Sequence, residues 1–438
     1  MTGKTFAAYT LGCKVNQYET DAMEQLLKKA GYQQVDFKEK ADIYLINTCS
    51  VTNMADRKSR QMIHRARKRN PDAIIAAAGC YVQAQADQQA QIDENIDLII
   101  GNNKKKEIVT ILEEFETKHR KKAVIDLSHT TDYEELSIDT VSEHTRAYLK
   151  IQDGCNQFCS YCIIPYVRGR IRSRKPEQVI EEVKKLAKNG YREVVLTGIH
   201  LSSYGKDLSD VTLIDLIEEL EKIDGLDRIR LGSLEPRIIT EDFVKRLSAV
   251  TKICPHFHLS LQSGCDETLK RMNRHYTIAE YEHSLALLRK AFFLPALTTD
   301  VIVGFPGETE EEFCETKKAL ERMNLYEMHI FKYSIRQGTK AEKMLHQVPE
   351  NIKTERSNVL LALSKKNQQS YEEAWIGKEE EILLEEEMIL DDKVYLTGHT
   401  KRYVKVGVLG VSGLEGSLVK VKIIENIPGK MLIGEIKD

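Results

Sequence analysis

The sequence predicts an α/β protein in three parts: an N-terminal open parallel α/β sheet, a central partial barrel of six β/α units and a small C-terminal all-β barrel. Three observations support this prediction. Short apolar runs alternate with helical patterns in residues 1–117, a strand–helix unit recurs about every 35 residues in 143–370, and strands alone fill 371–438. Strand–helix alternation indicates parallel sheets covered by helices, whereas closely spaced strands without helices indicate a small barrel.

Length and composition place the chain among soluble globular proteins. It has 438 residues, of which 42% are hydrophobic and 30% charged, and no apolar run approaches the roughly 20 residues that cross a bilayer. The opening "MTGKTFAAYTLGCK" lacks the apolar core of a signal peptide. We therefore expect a cytoplasmic protein without a membrane partner. In that compartment, clusters among its nine cysteines indicate metal or catalytic sites rather than disulfides.

In the N-terminal part, the runs "FAAYTLG", "DIYLINT", "AIIAAAG" and "IDLII" are predicted strands. Each precedes a predicted helix, and these helices cover approximately residues 18–30, 54–70, 82–90 and 104–115. The following residues, 118–142, are polar and are predicted to form a linker to the central part.

The central part, 143–370, contains the predicted strands "AYLKIQD", "EVVLTGI", "RIRLGSL", "FHLSLQS", "LTTDVIVG" and "YEMHIFKY". Six β/α units are too few for a closed eight-stranded barrel of about 250 residues, so a partial, open barrel is expected. The C-terminal part, 371–438, contains the predicted strands "EEILLEEE", "VYLTGHT", "YVKVGVLG", "SLVKVKIIE" and "KMLIGEI".

The strongest local signal for chemistry is "CNQFCSYC", in which Cys155, Cys159 and Cys162 directly follow the first central strand. Three thiolates on one tight loop can hold three irons of a 4Fe–4S cube and leave the fourth iron open. This spacing differs from the C-x2-C-x2-C-x3-C run of ferredoxins, which ligate every iron for electron transfer. A zinc site is the alternative.

A second set of cysteines occupies equivalent positions in the N-terminal part. Cys13, Cys49 and Cys80 each follow a predicted strand and precede a helix. Because parallel strands bring their carboxyl ends to one edge of the sheet, these cysteines should converge in one crevice and hold a second open-site 4Fe–4S cluster. The alternative is three buried thiols without a ligand.

The cysteine loop and the strand ends "LTGIH", "GSLEP", "HLSLQSG" and "VIVGFPGET" resemble the radical S-adenosylmethionine (SAM) superfamily over the whole central part. The resemblance implies that SAM binds at the open iron and that one electron cleaves it to a 5′-deoxyadenosyl radical. It also implies cofactor contacts from residues at the strand ends, where packing roles are the alternative. These residues are Gly198, Glu235, Gln262 and Gly304.

Two open-site clusters, a partial barrel and a C-terminal β domain, called TRAM in that family, together resemble the methylthiotransferase family over nearly the whole chain. The segments "GCKVNQYET" and "IQDGCNQFCSYCIIPYVRGRIRSR" look most like the branch that acts on N6-threonylcarbamoyladenosine in tRNA. The resemblance implies that one SAM donates a methyl group to sulfur on the second cluster. Another SAM supplies the radical that removes hydrogen from carbon 2 of the adenine, which leads to a 2-methylthio product next to the anticodon. No side chain is predicted to accept a proton.

The same resemblance implies three partners: the anticodon stem-loop of tRNA, an electron donor such as flavodoxin or ferredoxin, and a sulfur source. Three alternatives stay open. In the first, the enzyme acts on isopentenyladenosine in tRNA. In the second, it acts on an aspartate of a ribosomal protein. In the third, the chain is a non-catalytic iron–sulfur protein that binds RNA.

Basic segments provide candidate RNA contacts, although a solvated charged face is the alternative reading. They occur in the helix "ADRKSRQMIHRARKRN", in the loop "PYVRGRIRSRK" and in "HTKRYVKV". The candidates are Arg60, Arg65, Arg67, Arg168, Arg170, Lys401 and Arg402. The net negative charge of the C-terminal part argues against RNA binding, because residues 371–438 hold 9 Lys and Arg against 14 Asp and Glu. Its acidic "EEEILLEEE" must face away from RNA.

Remaining candidates are assigned to packing. The segment "CPHFH" offers Cys254, His256 and His258 to a metal, but the two histidines are predicted to line the barrel. Trp375 is predicted to pack in the core at the boundary of the C-terminal domain.

Overall fold

The computed structural model of the chain describes residues 3–87, 93–118, 122–127, 130–138, 145–410 and 412–437. Within these ranges the elements form an N-terminal parallel sheet, a central partial barrel and a C-terminal closed barrel, which confirms the predicted fold class. None of the described helices combines the length and apolarity needed to span a membrane.

Among the residues that the structure describes, the N-terminal sheet has six strands. They are β1 (Thr5–Thr10), β2 (Gln33–Gln34), β3 (Ile43–Thr48), β4 (Ile74–Gly79), β5 (Leu98–Ile100) and β6 (Lys122–Ala123). All pairs are parallel, in the spatial order β2-β1-β3-β4-β5-β6. The helices are α1 (Lys14–Lys29), α2 (Asn53–Arg69), α3 (Cys80–Asp87) and α4 (Ile108–Lys118). The sequence analysis missed β2 and β6, because two residues are too short to show a period.

Helices cover both faces of this sheet. Along β3, Ile43 and Leu45 pack into one core while Tyr44 and Ile46 pack into the other. The first core is completed by α1 and α4, and the second by α2 and α3. A strand buried on both faces has a continuous apolar sequence, which explains why "IYLINT" does not alternate.

The described residues of 118–142, predicted as a linker, pack against both neighbouring parts. Strand β6 extends the N-terminal sheet by pairing with β5. Leu136 and Ile138 belong to the core of the central barrel, and the backbone N–H of Ile138 donates to Glu182 Oε1 over 2.8 Å. The segment therefore ties the two parts together.

The central barrel is built from β7 (Arg146–Asp153), β9 (Glu193–Gly198), β10 (Arg228–Leu231), β11 (His256–His258), β12 (Ala296–Val303) and β13 (Glu327–Lys332), with a short antiparallel β8 (Arg172–Ser173) beside β7. Pairing is parallel from β7 through β9 to β10 and from β11 through β12 to β13. Single bridges, Ile229–Ile253 and Leu234–Leu259, join the two sheets. The six predicted strands are thus present in one continuous order.

In the described residues of this part there are eight α-helices. They are α5 (Ile164–Val167), α6 (Pro176–Lys188), α7 (Leu213–Glu221), α8 (Glu241–Ala249), α9 (Asp266–Arg271), α10 (Ile278–Ala291), α11 (Glu310–Met323) and α12 (Glu350–Glu373). Alternate strand residues, such as Leu149 of β7 and Val301 of β12, pack with them in one large core. The intervening residues face the inside of the barrel, which we call the lumen.

The N-terminal domain covers the open side of the partial barrel. On one edge, Glu19 of α1 forms an ion pair with Lys150 of β7 at 2.8 Å. On the other edge, Asp56 of α2 pairs with Arg336, which follows β13, at 2.6 Å. Because the first strand of the barrel and the segment after its last strand both contact this domain, the lumen has a wall where a closed barrel would have two more strands.

The C-terminal barrel has five strands: β14 (Glu379–Leu390), β15 (Lys393–Thr400), β16 (Lys405–Leu409), β17 (Leu418–Ile427) and β18 (Met431–Ile436). It closes in the order β14-β15-β16-β18-β17, and only β16 and β18 pair in parallel. All five strands correspond to predicted runs. Trp375 is 3% exposed and shares a core with Ala296 and Tyr326 of the central barrel, as predicted for a residue at the domain boundary.

The C-terminal barrel docks on the amino ends of the central strands, opposite the cysteine loop. Arg228, the first residue of β10, donates to the carbonyl oxygens of Glu381 at 2.7 Å and His399 at 2.9 Å. Tyr403, in a left-handed turn with φ +65°, lies under the guanidinium groups of Arg146 and Arg230, 4.8 and 4.9 Å from its ring centre. This tyrosine closes the floor of the lumen.

Candidate functional site

The loop that carries Cys155, Cys159 and Cys162 lies at the carboxyl end of β7, the active face of a β/α barrel. All three are free thiols, and burial raises the pKa of Cys155 to about 11. The Cys162 N–H donates to the carbonyl of Cys159 over 3.0 Å, which holds the loop in a tight turn. Thiols bind a metal only after they lose their protons, so binding of a metal or cluster at this loop would release protons.

The segment after α9 supports this loop from the opposite side. Asn273 donates from Nδ2 to the carbonyls of Gln157 and Phe158 at 3.2 and 3.0 Å. Arg274 donates from Nη1 to Cys159 Sγ at 3.3 Å, and this guanidinium stabilises a thiolate there. The motif "MNRHY" carried no local signal for this role, since the contact joins residues 115 positions apart.

The N-terminal cysteines also converge. Gly12 has φ +105°, and a Cβ atom on it would lie 2.7 Å from Cβ and 2.8 Å from Sγ of Cys49. The loop before Cys13 therefore needs glycine to approach Cys49 so closely. Asn16 Nδ2 fixes the approach by donating to the carbonyl of Leu11 at 2.7 Å and to that of Thr48 at 3.1 Å.

Cys80 joins this group through Arg168. Nε of Arg168 donates to Cys80 Sγ over 3.2 Å, and Nη2 donates to Asn16 Oδ1 over 2.7 Å. Ile163, directly after Cys162, packs in one small core with Cys80. The two cysteine sets, separated in sequence and in domain, therefore adjoin one another at the top of the lumen.

Buried positive charge exceeds buried negative charge around Cys80. Glu19 and Asp153 are the carboxylates of this network, and Arg168 contacts both, at 2.8 and 3.2 Å. The remaining cations are Lys105, Lys150 and Arg172. Nearby Glu134 is buried too, and burial raises the pKa of its carboxyl toward the neutral form. A cluster held by three thiolates is anionic, so this environment and donor set fit an iron–sulfur cluster.

Glu235, one of the residues implied to bind SAM, lies at the rim of the barrel and is 5% exposed. It pairs with His200 Nε2 at 3.1 Å and with Arg237 at 2.9 Å. Burial opposes ionisation, but the hydrogen bond and charge of His200, with the charges of Arg274 and Arg237, lower the pKa of Glu235 to about 2. The carboxylate is thus ionised and suited to an ammonium or hydroxyl group.

The other three implied SAM residues also end barrel strands. A Cβ on Gly198 would lie 2.9 Å from that of Gln152, and one on Gly304 would lie 2.3 Å from Lys353 Cγ. Packing by neighbouring side chains thus accounts for both glycines. Gln262 adopts φ +74° while its backbone bridges to β12, and such a conformation in a residue other than glycine is typical of functional sites.

The lumen below the cysteines is lined by polar residues of facing strands. His256 and His258 of β11 face it, as predicted, while Phe257 between them packs with the helices. Lys14, next to Cys13, enters from the wall made by the N-terminal domain and lies 5.9 Å from the ring centre of Tyr148. Its side chain is exposed to this space, yet enclosure by protein and the charges of Arg230 and Arg146 lower the pKa of Lys14 to about 8.

The structure corrects part of the predicted RNA surface. Arg168 is fully buried and ion-paired, so the prediction that it contacts RNA is wrong. Arg402 is also unavailable, because it donates to the carbonyl of Phe293 at 2.8 Å, pairs with Glu380 at 3.1 Å and covers the Trp375 ring. Both arginines hold domains together.

Other predicted contacts differ in availability. Arg67 lies at the end of α2, where it donates to the carbonyls of Pro71 and Ala73 at 2.7 and 2.8 Å. Lys401 reaches the carbonyl of Thr251 at 3.3 Å. The remaining predicted contacts, which are exposed, are Arg60, Arg65 and Arg170.

The acidic start of β14 explains the negative charge of the C-terminal part. Glu380 binds Arg402, and Glu381 binds Arg228 at 3.2 Å. Glu385 pairs with Arg146 at 3.3 Å and with His399 at 2.9 Å. These three carboxylates therefore lie at the contact with the central barrel, whereas Glu379, Glu386 and Glu387 of "EEEILLEEE" are exposed. That the acidic segment faces away from RNA stays a prediction.

The chain matches two family profiles. Residues 149–320 match the radical SAM superfamily, and residues 5–101 match the profile described as uncharacterized protein family UPF0004. A radical S-adenosylmethionine methyltransferase, TsrM from Kitasatospora setae, shares the fold with a TM-score of 0.56 at 14% identity, covering 76% of this chain and 72% of that one.

Relatives resemble the chain over nearly its whole length. The threonylcarbamoyladenosine tRNA methylthiotransferase MtaB of Bacillus subtilis is 43% identical over 424 residues, 96% of this chain and 94% of the relative. MtaB of Aquifex aeolicus is also 43% identical, over 91% of this chain and 97% of the relative. A tRNA-2-methylthio-N(6)-dimethylallyladenosine synthase of Clostridium botulinum is 37% identical over 96% and 94%.

Proposed function

The chain belongs to the methylthiotransferase family of radical SAM enzymes, and on that premise we propose that it converts N6-threonylcarbamoyladenosine in tRNA to its 2-methylthio derivative. The observation that carries the proposal is the meeting of two cysteine triplets at one end of one lumen. A reaction that inserts sulfur at an unactivated carbon needs a radical source and a sulfur carrier side by side, and the two triplets would supply one each.

We assign Cys155, Cys159 and Cys162 to the cluster that binds SAM, and the second triplet to the cluster that carries sulfur. That triplet consists of Cys13, Cys49 and Cys80. When bound, these groups supply the electron that cleaves SAM and the iron site that holds the sulfur. Arg274 and Arg168 donate to one thiolate of each set, which stabilises the ionised form.

The protein's own part is to position the base and exclude water. Walls from β7 to β13 and the N-terminal domain surround the lumen, and Tyr403 closes it below. The target adenine enters between the two cysteine sets with carbon 2 toward them. Enclosure limits the radical to one hydrogen atom, which is the contribution expected of a protein that handles reactive intermediates.

An exposed surface near the cysteine loop supports a tRNA substrate. Phe158, Tyr166 and Arg170 lie together there, with the arginine 4.7 Å from the ring centre of Phe158 and Tyr166 53% exposed. Aromatic rings beside a cation suit the splayed bases of an anticodon stem-loop. An electron donor of the flavodoxin or ferredoxin type and a sulfur source complete the cytoplasmic reaction.

Mass spectrometry of tRNA nucleosides from a deletion strain tests the function. Loss of 2-methylthio-N6-threonylcarbamoyladenosine, restored by the wild-type gene, supports it. Loss of the methylthio isopentenyl nucleoside instead would show that this chain acts on the substrate named for the Clostridium relative, and would overturn the proposal. An unchanged nucleoside profile would leave a ribosomal-protein substrate or a non-catalytic role, and would overturn the proposal.

Iron analysis of the reconstituted protein tests the two cluster assignments. We expect about eight irons per chain, falling to about four when either cysteine triplet is replaced by alanine. SAM cleavage should disappear only with the triplet at 155, 159 and 162. Wild-type iron content after replacing Cys13, Cys49 and Cys80 would contradict the second cluster.

A further inference from the structure

Two histidines and a carboxylate meet inside the barrel, at a place that the cysteine chemistry does not use. His258, Asp300 and His329 lie on the neighbouring strands β11, β12 and β13. Each offers one ligand atom, and these three atoms all lie within 4.8 Å of one another. Asp300 and His329 stand inside their strands, whereas the loop that carries Cys155 begins beyond the end of β7. The group is therefore separate from the cysteine sites.

The register of the three strands explains why these side chains meet. His258 pairs with Thr298 of β12, and Asp300 pairs with His329 of β13. Because alternate residues of a strand point to the same face, Thr298 and Asp300 share one face of β12, and Glu327 and His329 share one face of β13. The rings of His258 and His329 stack with centres 5.7 Å apart and planes 21° apart.

The contact between His258 and Asp300 has the spacing of two ligands of one ion. Nε2 of His258 lies 3.1 Å from Oδ2 of Asp300, yet this buried nitrogen makes no hydrogen bond to any described group. A simple ion pair would point the N–H at the carboxylate oxygen. Two atoms that each lie about 2.1 Å from a zinc ion are about 3.0 to 3.4 Å apart, which matches the observed separation.

Neighbouring side chains prepare the two rings for this role. Nδ1 of His258 lies 3.0 Å from Oγ1 of Thr298, which can accept its proton and leave the lone pair on Nε2. The carboxylate of Glu327 lies 3.9 Å from Nδ1 of His329, beyond hydrogen-bond distance, so it does not fix that ring. Because His329 is exposed, it can make the shift of about 1 Å that brings its nitrogen to ligand distance.

The charges around the group favour a cation. Elsewhere in the barrel a buried carboxylate is matched by a guanidinium, as Glu193 is by Arg230 at 2.6 Å. Asp300 and Glu327 differ, because among the residues that the structure describes each pairs only with an imidazole. Two carboxylates and two neutral imidazoles carry two negative charges, which one divalent ion would balance.

We propose that His258, Asp300 and His329 bind one divalent transition-metal ion. Thr298 orients His258, and Glu327 supplies a second negative charge beside the ion. Imidazole nitrogens suit Zn²⁺ and Fe²⁺, whereas Mg²⁺ prefers oxygen ligands alone. Three protein ligands leave at least one coordination position for water or another oxygen donor in the lumen. This metal site is additional to the two cysteine triplets and does not depend on the proposed substrate.

Zinc binding to the full-length reconstituted enzyme tests the site. After equilibrium dialysis at low micromolar free zinc, mass spectrometry should find about one zinc per chain and unchanged iron. His329→Gln and Asp300→Asn each remove a ligand and should weaken zinc binding by about 100-fold or more, whereas Thr298→Val removes an outer partner and should weaken it by about 10- to 100-fold. His283→Gln and Asp72→Asn, at exposed positions, are matched controls and should bind zinc as wild type does.

Iron and zinc measured on the same samples separate the outcomes. Because His329 is exposed, its replacement should leave folding and iron content unchanged, so that loss of zinc alone supports the site. Excess magnesium should not displace the zinc. The proposal is overturned if wild type binds no zinc or if the ligand variants bind as much as the controls. It is also overturned if iron falls as zinc rises, since zinc then replaces iron at the cysteines, or if magnesium displaces the zinc.

Discussion

The guanidinium of Arg168 makes all of its contacts inside the protein. Nε donates to Cys80, Nη1 to Glu19 and Asp153, and Nη2 to Asn16 and Glu19. A planar group with five fixed donors can orient several partners at once, which a lysine cannot do. One side chain therefore fixes the position of a cysteine thiol relative to helix α1 and strand β7.

Arg168→Met should lower the free energy of unfolding by about 3 kcal/mol or more, because it leaves the buried Glu19 and Asp153 with fewer cations. Denaturant titration of the anaerobic protein measures the change. Arg170→Met, at an exposed position two residues away, should stay within about 0.5 kcal/mol of wild type. Equal stabilities for the two variants would contradict the network.

Residue-level roles were predictable only where the local sequence carries them. Cys13, Cys49, Cys80 and Cys155 each come just after a predicted strand, and Cys159 and Cys162 share the loop of Cys155, so the place of all six at strand ends follows from the sequence alone. Arg168 looked like part of an RNA-binding loop because its partner Glu19 lies 149 positions away. The cluster of His258, Asp300 and His329 was missed for the same reason, since the register of three strands brings it together.

Helix α2 is anchored to the protein at its carboxyl end and exposes basic side chains along its middle. Its predicted range, 54–70, matches the observed Asn53–Arg69, and Ile63 and Ala66 are buried against the sheet. Thr52 caps its amino end by accepting from the N–H of Ala55 at 3.1 Å. At the other end Arg67 binds backbone carbonyls, which leaves the earlier arginines for other partners.

Replacing Arg60 and Arg65 with Gln should weaken tRNA binding and flatten its salt dependence. Each lost phosphate contact removes about 0.7 to 0.9 from the slope of log affinity against log salt. Filter binding over a range of salt concentrations measures the slope, and the preference for the modified adenosine should not change. Arg67→Gln should instead lower the stability of the protein and leave the salt slope unchanged. If Arg67→Gln flattened the slope while the variant of Arg60 and Arg65 only lost stability, the roles assigned to these arginines would be wrong.

At the scale of the molecule, three domains enclose one space. The central barrel supplies most of the wall, the N-terminal domain closes its open side, and the C-terminal barrel supplies the floor. The sequence predicted the three domains but not this arrangement. Contacts such as Arg336 with Asp56, 280 positions apart, have no counterpart in local periodicity.

The floor should loosen in mild acid. Burial lowers the pKa of His256 and of His399 below the ordinary value of 6.5, and both rings stack on Tyr403. Below pH 6.5 the unfolded chain then binds more protons than the folded one, so stability is complete above that pH and falls as pH decreases. Each histidine contributes at most about 1.4 kcal/mol per pH unit.

Unfolding measured between pH 5 and pH 7.5 checks this dependence. His399→Gln should reduce the slope of stability against pH, while His283→Gln, at an exposed position, should keep it. Parallel curves for wild type and His399→Gln would show that the floor does not sense acid.

The turn that carries Tyr403 places a constraint on how this chain can be altered. Tyr403 stacks between His256 of the central barrel and His399 of its own domain, with ring centres 5.3 and 4.5 Å away. A truncation before residue 376 removes a β-barrel and also unseals the chamber beneath the reacting base. Such a truncated enzyme would form less product for two reasons: weaker RNA binding and SAM cleavage that is uncoupled from product formation. The ratio of 5′-deoxyadenosine to product distinguishes the two, because only uncoupled cleavage raises it.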